Sequence, residues 1–401
     1  MLTLNPRLLD TGSPPIPEIQ AWGAQHAAEG GTVLNMCQAV PSHAPAPGML
    51  EHLARAAGDP RSATYGPIMG EPVLREAYAA ELCHVYGGRF GAPQVAITAG
   101  CNQAYFVAMM ALAQRGDAVL LPTPWYFNHR MTLDMLGVEP RPLPCRAEQG
   151  FVPDPEQAAA LIDDRVRAIV LVTPNNPTGA IYPPEVIARF HALCRERGIW
   201  LVLDETYRDF LPVGQDRPHG LLSGDDWPEN LLQLYSFSKS FAIPGYRLGA
   251  LGAPASVLPE LGKVMDCVQI CATRAGQLAL AWGLGALDDW RAANRAGMQA
   301  RLDSVRAAFS RLAGWELQSL GAYFAYVRHP FGNTSAWRVA ERLAAEHGLM
   351  CLPGPAFAGD EAHLRIAFAN VDAAGIVTME ERLSAASARA GAVPEEGFLL
   401  A

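Results

Sequence analysis

Ser236-Phe237-Ser238-Lys239-Ser240-Phe241-Ala242-Ile243-Pro244-Gly245-Tyr246-Arg247-Leu248-Gly249 puts a lysine, two hydroxyls and an arginine at the end of one predicted strand. A lysine amine forms a Schiff base with an aldehyde, and two hydroxyls beside a guanidinium make a phosphate clamp. An aldehyde that carries a phosphate describes pyridoxal 5'-phosphate (PLP). A single lysine or serine here would read as solvated loop; the whole string points to a cofactor.

Upstream, Trp200-Leu-Val-Leu-Asp204-Glu205-Thr206-Tyr207 sets an aspartate at the mouth of a buried strand. An unpaired carboxylate is costly there, so Asp204 needs a cationic partner. A protonated pyridine nitrogen is one, and a ring held in that form is an electron sink for a carbanion at a substrate α-carbon. Taken alone, Asp204 would read as a helix N-cap. Tyr207 is in reach of the same ring's phenolic oxygen. Thr173-Pro174-Asn175-Asn176-Pro177-Thr178-Gly179 follows another buried run and reads first as a turn; beside a cofactor, Asn176 becomes a second donor to that oxygen. Thr98-Ala99-Gly100-Cys101-Asn102 closes a strand and opens a helix, where backbone amides bind anions, so Gly100, Cys101 and Asn102 are phosphate candidates. Pro122-Thr-Pro124-Trp125-Tyr126 places two aromatics after the next strand, either able to stack on a ring or simply to fill core.

The elements that must carry these residues alternate. Val95–Thr98, Ala118–Leu121, Ala168–Val172, Trp200–Leu203, Leu231–Leu234 and Leu248–Leu251 are apolar at nearly every position, as strands covered on both faces are. Amphipathic stretches separate them, which predicts an α/β sandwich around a mostly parallel sheet with ligands beyond the strands' carboxyl ends. After Pro254 the pattern turns to long helical periods up to Leu312. It then mixes strands at Tyr323–Val327, Leu349–Leu352 and Leu364–Phe368 with helices at Ser335–His347 and Ala373–Ala390. That predicts a large α/β domain over residues 45–285, and a small α+β domain from residues 1–44 and 286–401 that takes in the Pro14, Pro15, Pro17 arm.

Composition agrees with a soluble small-molecule enzyme. Of 401 residues, 50% are hydrophobic and 18% charged, enough apolar material for a large core. The net charge of −9 is spread without runs, which argues against nucleic acid and anionic membrane partners. No signal-like or membrane-length apolar run occurs, and the 8 cysteines form no CxxC pair, so a reducing, cytoplasmic setting without disulfides or a metal site is expected.

With these segments in this order, the chain resembles the class I/II aminotransferases, the aspartate-aminotransferase-like group of fold-type I PLP enzymes, from about Leu34 to Ala369. The family motif S-x-S-K-x-x-x-x-P-G-x-R-x-G is matched at every fixed position. The resemblance implies a seven-stranded, mostly parallel sheet between helices and a smaller α+β domain. It implies that Lys239 is the Schiff-base lysine that shuttles the α-proton, Asp204 the pyridinium partner, and Tyr207 and Asn176 the pair on the phenolic oxygen. Ser236, Ser238 and Arg247 would hold the phosphate with the Gly100–Asn102 amides. Tyr126 fits the ring-stacking position, with Trp125 the alternative. Tyr65 resembles a tyrosine that reaches the phosphate of the partner subunit's site, which implies a homodimer. Arg365, an ordinary edge-strand arginine by its sequence alone, becomes the ligand of the substrate α-carboxylate, helped by Asn176 and the Ala39 amide. In Cys37-Gln38-Ala39-Val40-Pro41-Ser42, alanine stands where many relatives carry glycine. At Asn102 some acid-specific relatives carry lysine, and Arg274 is a weak candidate for a second, side-chain arginine, so strict aspartate specificity is disfavoured. The implied reaction moves an amino group from an α-amino acid to a 2-oxo acid through a pyridoxamine form. A C–S β-lyase, cyclase or decarboxylase on the same scaffold is the alternative. A non-catalytic relative would not be expected to keep Lys239, Asp204 and Arg365 together.

Overall fold

A computed structural model describes residues 3–215 and 217–390. Contacts divide the chain into two compact units. The first holds the described residues up to Gly12, His43–Asn175 and the described residues of Ala180–Gly297; the second holds Ser13–Ser42, Asn176–Gly179 and the described residues from Met298 onward. Three features differ from the expected partition. Residues before Gly12 cluster with the first unit. The Asn176–Gly179 turn clusters with the second. The division after Gly297 falls inside one continuous helix, Asp288–Phe309, instead of at a linker. Residues 391–401, assigned to the small domain by sequence, lie outside the described residues.

The first unit is built on a seven-stranded sheet. In spatial order its strands are Val95–Thr98, Gly249–Gly252, Leu231–Ser236, Trp200–Asp204, Val166–Val172, Ala118–Thr123 and Glu139–Pro144. Gly249–Gly252 runs antiparallel to both neighbours and the other pairings are parallel. The connection fits the exception: Phe237–Leu248, between it and the preceding strand, forms only a four-residue helical turn and a short 3-10 turn, with no crossover helix. Register places Val172 opposite Asp204, and Gly249 opposite both Ser236 and Thr98. The ends of these strands therefore emerge on one edge, and Thr98, Thr173, Asp204 and Ser236 come together there from distant parts of the sequence.

Glu139–Pro144 was absent from the sequence expectation, because Glu-Pro-Arg-Pro-Leu-Pro has little strand character. As an edge strand it is permitted. Glu139 and Cys145 donate inward to Asp117 and Thr123, so the alternate positions, Pro140, Pro142 and Pro144, lack only outward-pointing N–H groups. Alternate sheet residues Ala168, Val170, Val202, Leu232, Leu234 and Leu251 pack with Ala104, Tyr105, Val107 and Ala108 of the Cys101–Leu112 helix into one core, which sets that helix's N-terminus at the functional edge.

The second unit carries an antiparallel sheet in the order Leu352–Pro353, His363–Ala367, Phe324–Arg328, Glu316–Gly321. Helices Ile16–Ala28, Ala336–His347 and Ala373–Ala390 belong to the same unit. The expected strand Leu349–Leu352 is two strands: Leu349–Met350 pairs in parallel with Leu34–Asn35, while Leu352–Pro353 joins the other sheet. Among the described residues no helix is long and apolar enough to cross a membrane.

Candidate active site

Asp204 ends its strand with 4% exposure. Its Oδ1 accepts from Thr206 N at 3.0 Å and Thr206 Oγ1 at 2.7 Å. Its Oδ2 lies 3.2 Å from His129 Nε2, and both side chains are buried. Burial alone would raise the carboxyl; the bond and charge of His129 and the two Thr206 bonds outweigh it and hold Asp204 below the usual carboxylate range. The site thus keeps a buried carboxylate ionised. The ring of Tyr105 stacks on His129, centroids 3.8 Å apart and planes at 17°. Sequence reasoning missed His129; the signal available was its position three residues after Tyr126, on the first turn of Phe127–Leu136.

Lys239 sits on a single helical turn, Phe237–Ser240, opened by Ser236, whose hydroxyl accepts from Ser238 N at 3.3 Å. Lys239 Nζ lies 5.9 Å from the centroid of the Tyr207 ring. Arg247 adopts a left-handed backbone, φ 51°, as does Ala242, φ 55°. A non-glycine residue in that region stores strain, and such strain collects where a loop is shaped for a ligand.

Gly100 caps the Cys101–Leu112 helix at φ 83°. A Cβ at Gly100 would strike the Arg247 guanidinium, and one at Gly249 would enter the Gly100–Cys101 backbone. Two glycines therefore let a helix N-terminus close on a guanidinium; the Gly100 amide itself donates to Thr98 O at 2.8 Å. Ser236 and Ser238 are buried at the same edge, Cys101 is buried and Asn102 exposed. Burial raises the Cys101 thiol well above its ordinary value, so it is a neutral group here. Of the two aromatics, Trp125 belongs to the packed core, while Tyr126 is half-buried and meets His129 edge-on at 5.2 Å.

Arg274 is engaged elsewhere in this unit. Its Nε donates to Glu71 Oε1 at 2.5 Å, and its Nη1 to Thr64 Oγ1 at 2.7 Å and Arg61 O at 2.5 Å, so it braces the turn before Tyr65. Tyr65 itself is 79% exposed.

In the second unit Arg365 is 2% exposed on the His363–Ala367 strand. Its guanidinium donates to Asn176 Oδ1 at 3.0 Å and to the Cys37 carbonyl. The rings of Phe357 and Phe324 flank it at 4.9 and 5.1 Å. Burial pushes the neighbouring Cys37 thiol up to about 11, leaving the guanidinium as the charge at this point. Asn370, also missed by sequence, accepts from Val40 N at 2.9 Å and donates to Asn35 O at 3.1 Å, fixing the loop that contains Ala39. Arg365, Asn176 and the Cys37–Ala39 loop thus converge.

The sequence profile of the family "Aminotransferase class I and II" matches residues 31–383. The chain belongs to the class I and II aminotransferases. An aromatic aminotransferase of Arabidopsis thaliana is 28% identical over 97% of this chain and 96% of its own. An aspartate/prephenate aminotransferase of Thermus thermophilus is 32% identical over 80% of this chain and 83% of its own. Among solved structures, the Thermus thermophilus aspartate aminotransferase with maleate matches with a TM-score of 0.89 and 26% identity, covering 96% of this chain and all of that one. This aminotransferase has the fold-type I architecture, a mostly parallel seven-stranded sheet with a smaller antiparallel-sheet domain, and is a transaminase.

Proposed function

We propose that the first unit binds PLP at its sheet edge, with Lys239 as the covalent lysine, and that an α-amino acid and a 2-oxo acid are its alternating substrates. The observation that carries this reading is a buried, ionised Asp204 on one strand end together with a lysine turn on the next. A glycine-lined helix N-terminus closed against Arg247 completes the set. These groups match what PLP presents: a basic ring nitrogen, an aldehyde and a dianionic phosphate. Ser236, Ser238, Arg247 and the Gly100–Asn102 amides would hold the phosphate, and Tyr126 would cover the ring. When bound, PLP supplies the aldehyde that links to an amine and a ring that takes up the electron pair left at the substrate α-carbon.

The chain's own groups do the rest. Asp204, held ionised by His129 and Thr206, keeps a proton on the ring nitrogen. Tyr207 and Asn176 donate to the phenolic oxygen. Lys239 Nζ takes the α-proton and then returns it, acting first as base and then as acid. Arg365, planar and fixed by Phe324, Phe357 and Asn176, forms a two-pronged contact with the substrate α-carboxylate. Tyr65 reaches the phosphate of a partner subunit in a homodimer. Tyr65 and Ile270 support that assembly, since both are large and exposed and their chain neighbours meet, Gly66 N donating to Cys271 Sγ at 3.3 Å. Because Arg274 is committed to Glu71 and Thr64, strict specificity for a dicarboxylic amino acid is disfavoured.

The chain has two lysines, and the second, Lys263, is exposed and paired with Glu260 at 2.6 Å. Borohydride treatment of the PLP-loaded protein should fix the cofactor to Lys239, as shown by peptide mass mapping, and Lys239→Ala should abolish the fixation. Label on Lys263 or on neither lysine refutes the assignment. Amino acids added without an acceptor should then yield one 2-oxo acid per site and no ammonia; continuous release of pyruvate and ammonia would point to elimination instead.

A further inference from the structure

The turn that carries Lys239 is poorly equipped to hold itself. It is four residues long, and beyond the Ser236 cap its closing bonds are Phe241 N to Phe237 O at 3.2 Å and Ala242 N to Lys239 O at 3.4 Å. The chain then passes directly into the strained Ala242 and Arg247 positions. A four-residue turn does not by itself fix a side chain, so ties from outside it bear on where it sits. Phe237 N, which donates to Leu248 O at 3.2 Å, is one, and a side chain supplies another.

The buried hydroxyl of Tyr235 supplies that tie. Tyr235, 1% exposed, precedes the turn. Its hydroxyl donates to Asp209 Oδ2 at 2.6 Å and lies 2.8 Å from Ser240 Oγ. A phenol has one proton, so with that proton on Asp209 the second bond is donated by Ser240. Ser240 follows Lys239 in the chain, and Asp209 stands two residues after Tyr207. The hydroxyl therefore links the turn that carries Lys239 to the one that follows Tyr207. The Asp209 end is anchored. Asp209 Oδ1 receives Arg291 Nη2 at 2.7 Å, and Arg291 also meets Glu81 at 2.5 Å. The Tyr235 ring is held independently by the Arg208 guanidinium at 4.0 Å, by Tyr78 at 5.5 Å and 21°, and by Phe237 at 5.0 Å and 87°. Packing sets the ring, so the hydroxyl is free to set the turns.

We infer that Tyr235 is a positioning residue for transamination: through Ser240 and Asp209 its hydroxyl fixes Lys239 relative to Tyr207. The inference rests on the proposed roles of those two residues. An error of about 1 Å in the placement of a proton-transfer group lowers rate by up to about 10²-fold while leaving binding intact. Tyr235→Phe keeps the ring and removes only the two bonds.

The test compares the PLP-loaded full chain with its Tyr235→Phe and Ser240→Ala variants and the double variant. Tyr235→Phe should lower kcat by about 10-fold or more with KM within about twofold. The pH midpoint of the visible cofactor band should move by about half a unit or more, because the lysine's surroundings change. Ser240→Ala should do the same, and the double variant should be no worse than the more impaired single one. An unchanged kcat and band in Tyr235→Phe, with only the melting temperature lowered, would show a purely structural role and overturn the inference. Additive losses would do so as well. If Tyr235→Phe does not fold, an unaltered band and kcat in Ser240→Ala overturn it equally. Failure of the wild-type protein to take up PLP overturns the reading of the site itself, an outcome distinct from a normal wild-type band that Tyr235→Phe leaves untouched.

Discussion

At the scale of residues, the two groups proposed to govern the chemistry are each held by partners that suit one state. His129 and Thr206 keep Asp204 ionised inside the protein, and Asn176 with two phenyl rings holds the planar Arg365 guanidinium in place. Lysine cannot reproduce a two-pronged contact. Arg365→Lys should therefore raise KM for the amino acid by about 10- to 100-fold, the worth of one charged hydrogen bond, without altering PLP uptake. Paired initial-rate and cofactor-titration measurements check this; loss of PLP binding in the variant would show that Arg365 serves the fold instead. The lysine motif and Asp204 stood out as candidates in the sequence. His129 and Asn370 were not, because a histidine or asparagine outside a motif gains a role only from what folding sets beside it.

At the scale of elements, the site depends on the closeness of a helix N-terminus to the turn after the lysine strand. Gly100 supplies both a positive φ and the space taken by Arg247. Gly100→Ala should weaken PLP binding by about 10-fold or more, since the added carbon forces Arg247 away and the backbone out of its conformation, a strain of about 1–3 kcal/mol. Fluorescence titration with PLP gives the affinity; an unchanged value would mean that the helix amides and Arg247 do not share one ligand. Strands with continuous apolar runs were legible by composition. The Glu139–Pro144 edge was not, because proline is tolerated there only for its place beside Ala118–Thr123.

At the scale of the whole molecule, buried acids link stability to pH. Asp204 and Glu205 are buried and Asp209 is partly so, yet each stands below its ordinary value: burial opposes ionisation and His129, His219 and Arg291 respectively lead the groups that favour it. Folded values lower than unfolded ones mean stability that is complete above about pH 4 and lost as pH falls through the folded values. Urea unfolding should give a level free energy from about pH 7 to about pH 5 and a steep fall below about pH 4; a level profile to about pH 3 would contradict the linkage. Assembly belongs to this scale too. If Tyr65 completes a partner's site, mixing inactive Lys239→Ala with a Tyr65→Ala variant should restore activity in hybrid dimers, each with one intact site. No recovery, with sedimentation still showing twice the chain mass, would place Tyr65 outside the partner's site.

The sequence by itself determined the family and the fold class, and pointed to the chemistry. A lysine, hydroxyls and an arginine at fixed spacing, and apolar runs that only a covered parallel sheet can bury, are local properties that survive without coordinates. Tertiary structure decided what distance along the chain conceals. It set Asp204 against His129, closed the Gly100 turn on Arg247, committed Arg274 to Glu71, and joined the Tyr207 and Lys239 turns through one buried hydroxyl. Those pairings arise from strand register and packing, which bring residues far apart in sequence to one edge of a sheet.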